Sequence, residues 1–410
     1  MKNRSALISA LICVMLFCGV ARADVAFYAD SSPSGTLGVV GINEGDFEIT
    51  GRAALSAGDI SHIASFAARD RLIVVEEGRT NDDLLRVCDP ANLSSPPHET
   101  TISGLRGTRG VEYVDGFLYF IGYDAANVIK VDANDYSHAG EYSYPANSVA
   151  SGFTARGVSL AALGEELYAL FTEQEADGVN YAGSSLVRLD KNLNVIGTLS
   201  VADGAHLVLQ SRGYLYVAAL GKTSSSFASG SDSTLERISA DANGMSSSVL
   251  FSAADLDLAD SRIATVAFAP AGIVAIATQT ATTDSPASVN IYTLNATLNP
   301  ANAKKLPRTF KGDKTAIVYD PVTAKFWAAN DGAYAGTDTL IAFKTSGSVT
   351  GVFSASTLGG STHLITPVIK TTSDSSQGED PQVILGGCSL GWGGLTLAGA
   401  LLMICLRQNA

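Results

Sequence analysis

Charge is scarce in this 410-residue chain: only 16% of residues are Asp, Glu, Lys or Arg. Tryptophan (2) and methionine (4) are nearly missing, and cysteine (5) is sparse. The low charge argues against a disordered polyelectrolyte, and the shortage of Glu, Lys and Arg argues against a helical bundle. There is no excess of positive charge either. The formal net charge of -13 disfavours nucleic acid as a partner, because phosphate binding needs a basic surface. Glycine, at 40 residues, is plentiful.

The cysteines are also badly placed for cross-linking. Cys13 and Cys18 fall near the N-terminus and Cys388 and Cys405 near the C-terminus, which leaves Cys88 alone in between. The middle of the chain must therefore be held by its own core rather than by disulfides. Cys88 reads as a small buried hydrophobe in an inner strand, with no His nearby to make it a nucleophile.

Both ends read as addresses. Lys2 and Arg4 precede an apolar run from Ala6 to Val20 and then Ala21-Arg22-Ala23, the layout of a secretory signal peptide spanning 1–23, cut after Ala23. A lipoprotein reading with Cys18 as the acylated residue is the alternative. At the other end a polar linker (371–382) leads into a segment over 383–410. Its Gly386-Gly387-Cys388 is followed by an uncharged run from Ser389 to Leu406 and then Arg407. This tail resembles the tripartite C-terminal sorting signals of diderm bacteria, of the Synergist-CTERM and GlyGly-CTERM types. The resemblance implies processing near Gly386, Gly387 and Cys388, followed by anchoring at the cell surface or release. An unprocessed membrane anchor is the other reading of the same run. Without Lys2, Arg4, Arg22 and Arg407 the rest of the chain is more acidic still, which favours solubility outside the cell.

Between the ends, over 24–370, the sequence repeats. Short apolar runs recur as Val25–Tyr28, Arg71–Val75, Phe117–Ile121, Leu167–Leu170, Tyr214–Val217, Gly272–Ile276 and Lys325–Ala328. Several follow turn signals such as Asp115-Gly116 and Arg212-Gly213. Each is followed by a polar loop and a second run: Leu37–Ile42, Leu84–Val87, Val128–Val131, Leu186–Leu189, Leu235–Ile238, Val289–Leu294 and Leu340–Phe343. Asp89, Asp132, Asp190 and Asp241 open turns after four of these. Short β-branched and aromatic runs bounded by Gly, Asp and Asn read as strands, not helices. Seven copies at roughly 45 to 58 residues match four-stranded propeller blades. The repeats resemble those of seven-bladed β-propellers of the YVTN-type and quinoprotein-like families, and the resemblance implies that fold. The first copy lacks a preceding innermost strand and the chain ends on a spare one, His363 to Ile369. The C-terminal strand is therefore predicted to close the first blade and remove an open edge.

Aligned innermost strands begin with a base in every copy: His62, Arg109, Arg156, His206, Arg262, Lys314 and His363, each with Val, Ala or Ile two residues on. Innermost strands line the central channel, so one such slot per blade predicts a ring at the channel mouth. The loops Glu76 to Asp83, Gly122 to Asn127, Glu173 to Ser184, Gly221 to Thr234, Thr278 to Ser288 and Asn330 to Asp338 would stand on the same face. Three readings stay open. The bases can pair internally with Glu76, Glu77, Asp124, Glu173 or Asp331. They can hold an anionic ligand, with histidines lending pH sensitivity. Or the alignment is coincidental. Asp255, Asp257 and Asp260 lack calcium-loop spacing, no catalytic triad is identifiable, and no cofactor or metal is expected. The sequence thus predicts an exported, monomeric binding or interaction module for an anionic ligand, glycan or protein. The alternatives are an extracellular enzyme in the same funnel and a purely structural surface protein.

Overall fold

The computed structural model describes residues 24–31, 34–43, 46–55, 59–66, 71–78, 81–175, 180–222, 232–256, 261–280, 288–311, 315–321, 323–330, 338–358 and 361–368. The predicted signal peptide with Ala23, the linker, the tail with Gly386, Gly387 and Cys388, and Lys314 lie outside the described residues, as do Asp257, Asp260 and Asp331. Among the described residues no helix is long and apolar enough to cross a membrane.

Twenty-eight antiparallel strands form a seven-bladed β-propeller. Each recurrent apolar run is the second strand of a blade, counted from the channel, and each following run is the third. The innermost strands are β4 (Asp59–Phe66), β8 (Thr108–Val114), β12 (Phe153–Leu163), β16 (Ala205–Ser211), β20 (Ser261–Phe268), β24 (Thr315–Asp320) and β28 (Ser361–Val368). The last of these closes the ring as predicted. Strand β28 pairs with β1 (Asp24–Ser31) from Asp24↔Val368 to Asp30↔Ser361, ahead of β2 (Ser34–Asn43) and β3 (Asp46–Leu55). The Thr362 hydroxyl adds a bond to the Tyr28 carbonyl at 2.5 Å.

The core lies between the blades rather than within them. Seven apolar clusters fill the seven blade-to-blade interfaces, and the cluster of Val25, Phe27, Trp327 and Ala342 joins the last blade to the first. Both faces of the middle strands are thereby covered, which is why β9 (Phe117–Gly122) and β17 (Tyr214–Ala219) read as unbroken apolar runs. The turns follow residue chemistry. Asp115-Gly116 and Arg212-Gly213 hold φ of 50°, 83°, 54° and 78°, the left-handed pair of a tight hairpin. Asp89, Asp132, Asp190 and Asp241 each accept a backbone N–H two residues on, at 2.7–2.8 Å.

Cys88 is a free, buried thiol whose pKa is pushed up to about 11, chiefly by burial. It ends β6 (Leu84–Cys88), the third strand of its blade counted from the channel, and not an inner strand as the sequence suggested. The run Leu84–Cys88 is as apolar as an inner strand because the interfaces between blades extend that far out.

Candidate functional site

The start of each innermost strand lies where the second strand of its blade ends, so the predicted slots gather at one end of the channel. The pairing register spreads them over three rungs. His62 sits deepest, opposite Val75. Arg109, His206 and His363 are extra residues in β-bulges, lying between Thr108 and Gly110, Ala205 and Leu207, and Thr362 and Leu364. Arg156 and Arg262 stand further out, opposite Thr172 and Gln279. Bulges recur at this rung in β4, β12 and β20 too, with Ser61, Val158 and Ala264 as the extra residues. A bulge bends a strand and re-aims one side chain. An alignment by residue type alone therefore cannot tell a bulged base from one a rung away.

The arginines are partly paired, each across a blade boundary. Arg156 of the fourth blade meets Asp124 of the third at 2.6 Å. Arg109 of the third meets Glu77 of the second at 3.7 Å, too long for a hydrogen bond. Both guanidinium carbons lie over the ring of Tyr123, at 4.9 Å for Arg109 and 4.8 Å for Arg156. The Tyr123 hydroxyl donates to Gln174, and the Gln174 amide lies 3.5 Å from the Tyr181 hydroxyl. Burial raises the Tyr181 pKa and Arg262 opposes that rise, which sets Arg262 within electrostatic reach of the same row. Of the other acids considered, Glu76 holds Arg86 at 2.7 Å and Glu173 accepts the Ala150 N–H at 2.9 Å.

Two of the ring's histidines, His62 and His206, have lowered pKa values. Burial, helped by Arg109, lowers the His62 pKa to about 4. His206 donates through Nε2 to the Ala264 carbonyl at 2.9 Å, linking the fifth and sixth blades, and burial lowers its pKa as well.

Below the mouth, a cavity of about 280 Å³ runs down the channel. Its wall is mostly apolar, with Ile63, Val111, Leu160, Val208, Val266 and Ile317 from six innermost strands. His62 and Arg109 belong to its upper wall, and Ser159, Gln210, Thr265, Tyr319 and Thr366 supply polar atoms. One acid also faces it. Glu112 stands opposite Tyr119, where the corresponding residues of the other blades are Ala64, Ala161, Leu209, Ala267, Val318 and Thr366. Burial among these side chains pushes its carboxyl well above the usual range. The sequence reading missed Glu112. The signal was present as the one acid at a slot that is otherwise apolar or Thr. Among the described residues, no group of three or more His, Cys, Asp and Glu side chains could hold a metal ion.

Fold and channel place the chain among seven-bladed propellers. No protein-family model matches it, and no curated protein matches it. Solved structures do. The periplasmic gluconolactonase of Pseudomonas aeruginosa superposes with a TM-score of 0.58 at 13% identity, covering 86% of this chain and 100% of the other. A candidate 6-phosphogluconolactonase of Bacteroides fragilis gives 0.56 at 10%, covering 85% and 98%. A protein from Lactobacillus plantarum gives 0.53 at 13%, covering 85% and 99%. At such identities the likeness is one of fold.

Proposed function

We propose that this chain is an exported binding propeller whose ligand enters the central channel at the Arg109 end. Export rests on the signal-peptide pattern of 1–23 and the tail pattern of 383–410. The ligand would place an anionic group against Arg109 and a small uncharged body against the apolar wall below. The observation that carries this is the Arg109 guanidinium, on the wall of a 280 Å³ cavity and only loosely paired with Glu77 at 3.7 Å. One Arg109 N–H donates to the Thr108 carbonyl at 3.3 Å, and the remaining donors can turn to a charge-assisted bond at little rearrangement. Burial lowers the His62 pKa and raises that of Glu112, so both groups disfavour charge in the channel below and a charged body would be poorly received there.

A thermal-shift panel of phosphate, citrate, gluconate and glucose 6-phosphate tests this. A ligand at about 100 times its Kd adds about 2.7 kcal/mol, a rise of about 4 °C for a domain this size. Glu77→Gln removes the competing carboxylate and should tighten anion binding. Weaker binding in that variant, or no shift for any of the four anions, would overturn the reading.

One observation favours a second reading. Glu112 is the unpaired acid that an enzyme in this funnel would use as a proton donor. Glu112→Gln would then abolish turnover of a bound ligand while leaving its affinity within about twofold. Two fold relatives carry lactonase names, and their likeness supplies no catalytic residue here.

A further inference from the structure

A second concavity, of about 490 Å³, lies between the third and fourth blades, away from the channel. Tyr142, the penultimate residue of β11 (His138–Ser143), and Tyr144 just beyond the strand make one wall, with Ser148 nearby. Ser185 of β14 (Tyr181–Leu189) and Thr198 and Ser200 of β15 (Val195–Val201) face them. Glu173 and Asp203 complete the lining. No lysine, arginine or histidine belongs to it; Lys222, largely exposed, reaches Asp203 at 3.5 Å.

The cleft is built on sheet and held from behind. Both tyrosines rest on Phe171, with ring centroids 6.0 Å and 4.8 Å away. The Tyr144 hydroxyl lies 3.2 Å from Ser185 Oγ, and Glu173 is fixed by the Ala150 N–H. Little ordering is then left for a ligand to impose.

Its chemistry narrows the ligand. An anion would face Glu173 and Asp203 with no base in the lining. A hydrocarbon would strip water from two carboxylates and a row of hydroxyls without replacing their bonds. A neutral polyhydroxylated ring meets both demands. The C–H face of a pyranose packs on a tyrosine ring, while its hydroxyls donate to carboxylates and exchange bonds with Ser and Thr. We propose that the cleft between the third and fourth blades is a binding site for a neutral saccharide. This site is separate from the channel and does not depend on the function proposed for it.

Gly183 allows a clean test. A Cβ built there meets nothing within 4 Å, and its φ is not left-handed. Gly183→Phe should therefore fill the cleft without disturbing the fold. Thr198→Phe, at an exposed position of the neighbouring strand on the same wall, serves if the first variant does not fold. Calorimetric titration with maltotetraose, cellotetraose, xylotetraose and chitotetraose should show saturable binding of at least one. That binding should weaken tenfold or more in Gly183→Phe, or in Thr198→Phe, and in Tyr142→Ala, and stay unchanged in Arg109→Ala. The proposal is overturned if none of the four binds at millimolar concentration, if a folded cleft-filling variant binds as well as the parent, or if Arg109→Ala is the variant that loses the sugar.

Discussion

At the scale of single residues, two buried ionisable groups in the channel act on stability in opposite pH ranges. His62 has a folded-state pKa of about 4 against an ordinary 6.5, so on acidification the unfolded chain takes up the proton first. Its contribution is full above pH 6.5 and is lost as pH falls towards 4. Glu112 is the reverse case. The folded chain keeps a proton that the unfolded chain releases near 4.5, so its contribution is full below that pH and fades as pH rises. Glu112→Gln keeps the shape and removes the titration. Its melting temperature should exceed that of the parent at pH 8 and match it at pH 4. Parallel pH profiles for the two proteins would contradict the placement of Glu112.

Asp83 is the other residue-scale test. It is fully buried between the second and third blades and accepts from the N–H groups of Gly78, Gly107 and Thr108 and from the Thr108 hydroxyl, at 2.8–3.1 Å. Ser184 and Ser233 catch the next blade in the same way, through the N–H groups of Ala205 and Ile263. Asp83→Ala leaves several donors unmet, and at 1–3 kcal/mol for each buried loss the cost should be about 3–5 kcal/mol. Urea denaturation reads it; a loss below about 1 kcal/mol would mean that water replaces the carboxylate.

At the scale of elements, the hairpin turns were legible because Asp115-Gly116 states its backbone geometry in two residues. A Cβ at Gly116 meets no atom within 4 Å, yet φ there is 83°. Gly116→Ala should thus cost about 1–2 kcal/mol through backbone strain alone, visible as a lower denaturation midpoint. The strands were legible for a related reason, since runs such as Phe117–Ile121 are apolar on both faces. The bulges were not. An extra residue in β8 or β16 changes no composition and breaks no period long enough to notice, and Arg109 and His206 look no different from Arg156 in the chain. The partners were half legible. Glu77 and Asp124 stood among five acids within reach, and only the blade-to-blade geometry selects them. Glu112 could have been found by asking which slot is apolar or Thr in six copies and acidic in the seventh.

At the scale of the whole molecule, closure depends on the two ends of the propeller meeting. Counting strands predicted this, and the pairing of β28 with β1 bears it out. Trp327 then lies at the seam, edge-on to Phe47 with centroids 4.9 Å apart, and is fully buried. Removing 361–368 would strip the first blade of its innermost strand and expose β1 as an edge. Such a truncation should shift Trp327 fluorescence towards that of exposed indole and abolish the single cooperative melt. A truncated chain that melts as the parent does would contradict closure by β28.

The central claim is that Arg109 is an open donor at the mouth of a binding channel while its neighbour Arg156 is committed to the scaffold. It is tested most directly by melting Arg109→Ala with and without the anion that shifts the parent protein. The account predicts a ligand-free stability within about 1 kcal/mol of the parent, as for a loose, half-buried pair at 3.7 Å, and no shift with the anion. A strongly destabilised Arg109→Ala, or one that still responds to the anion, would mean that the arginine is scaffolding and that the ligand binds elsewhere.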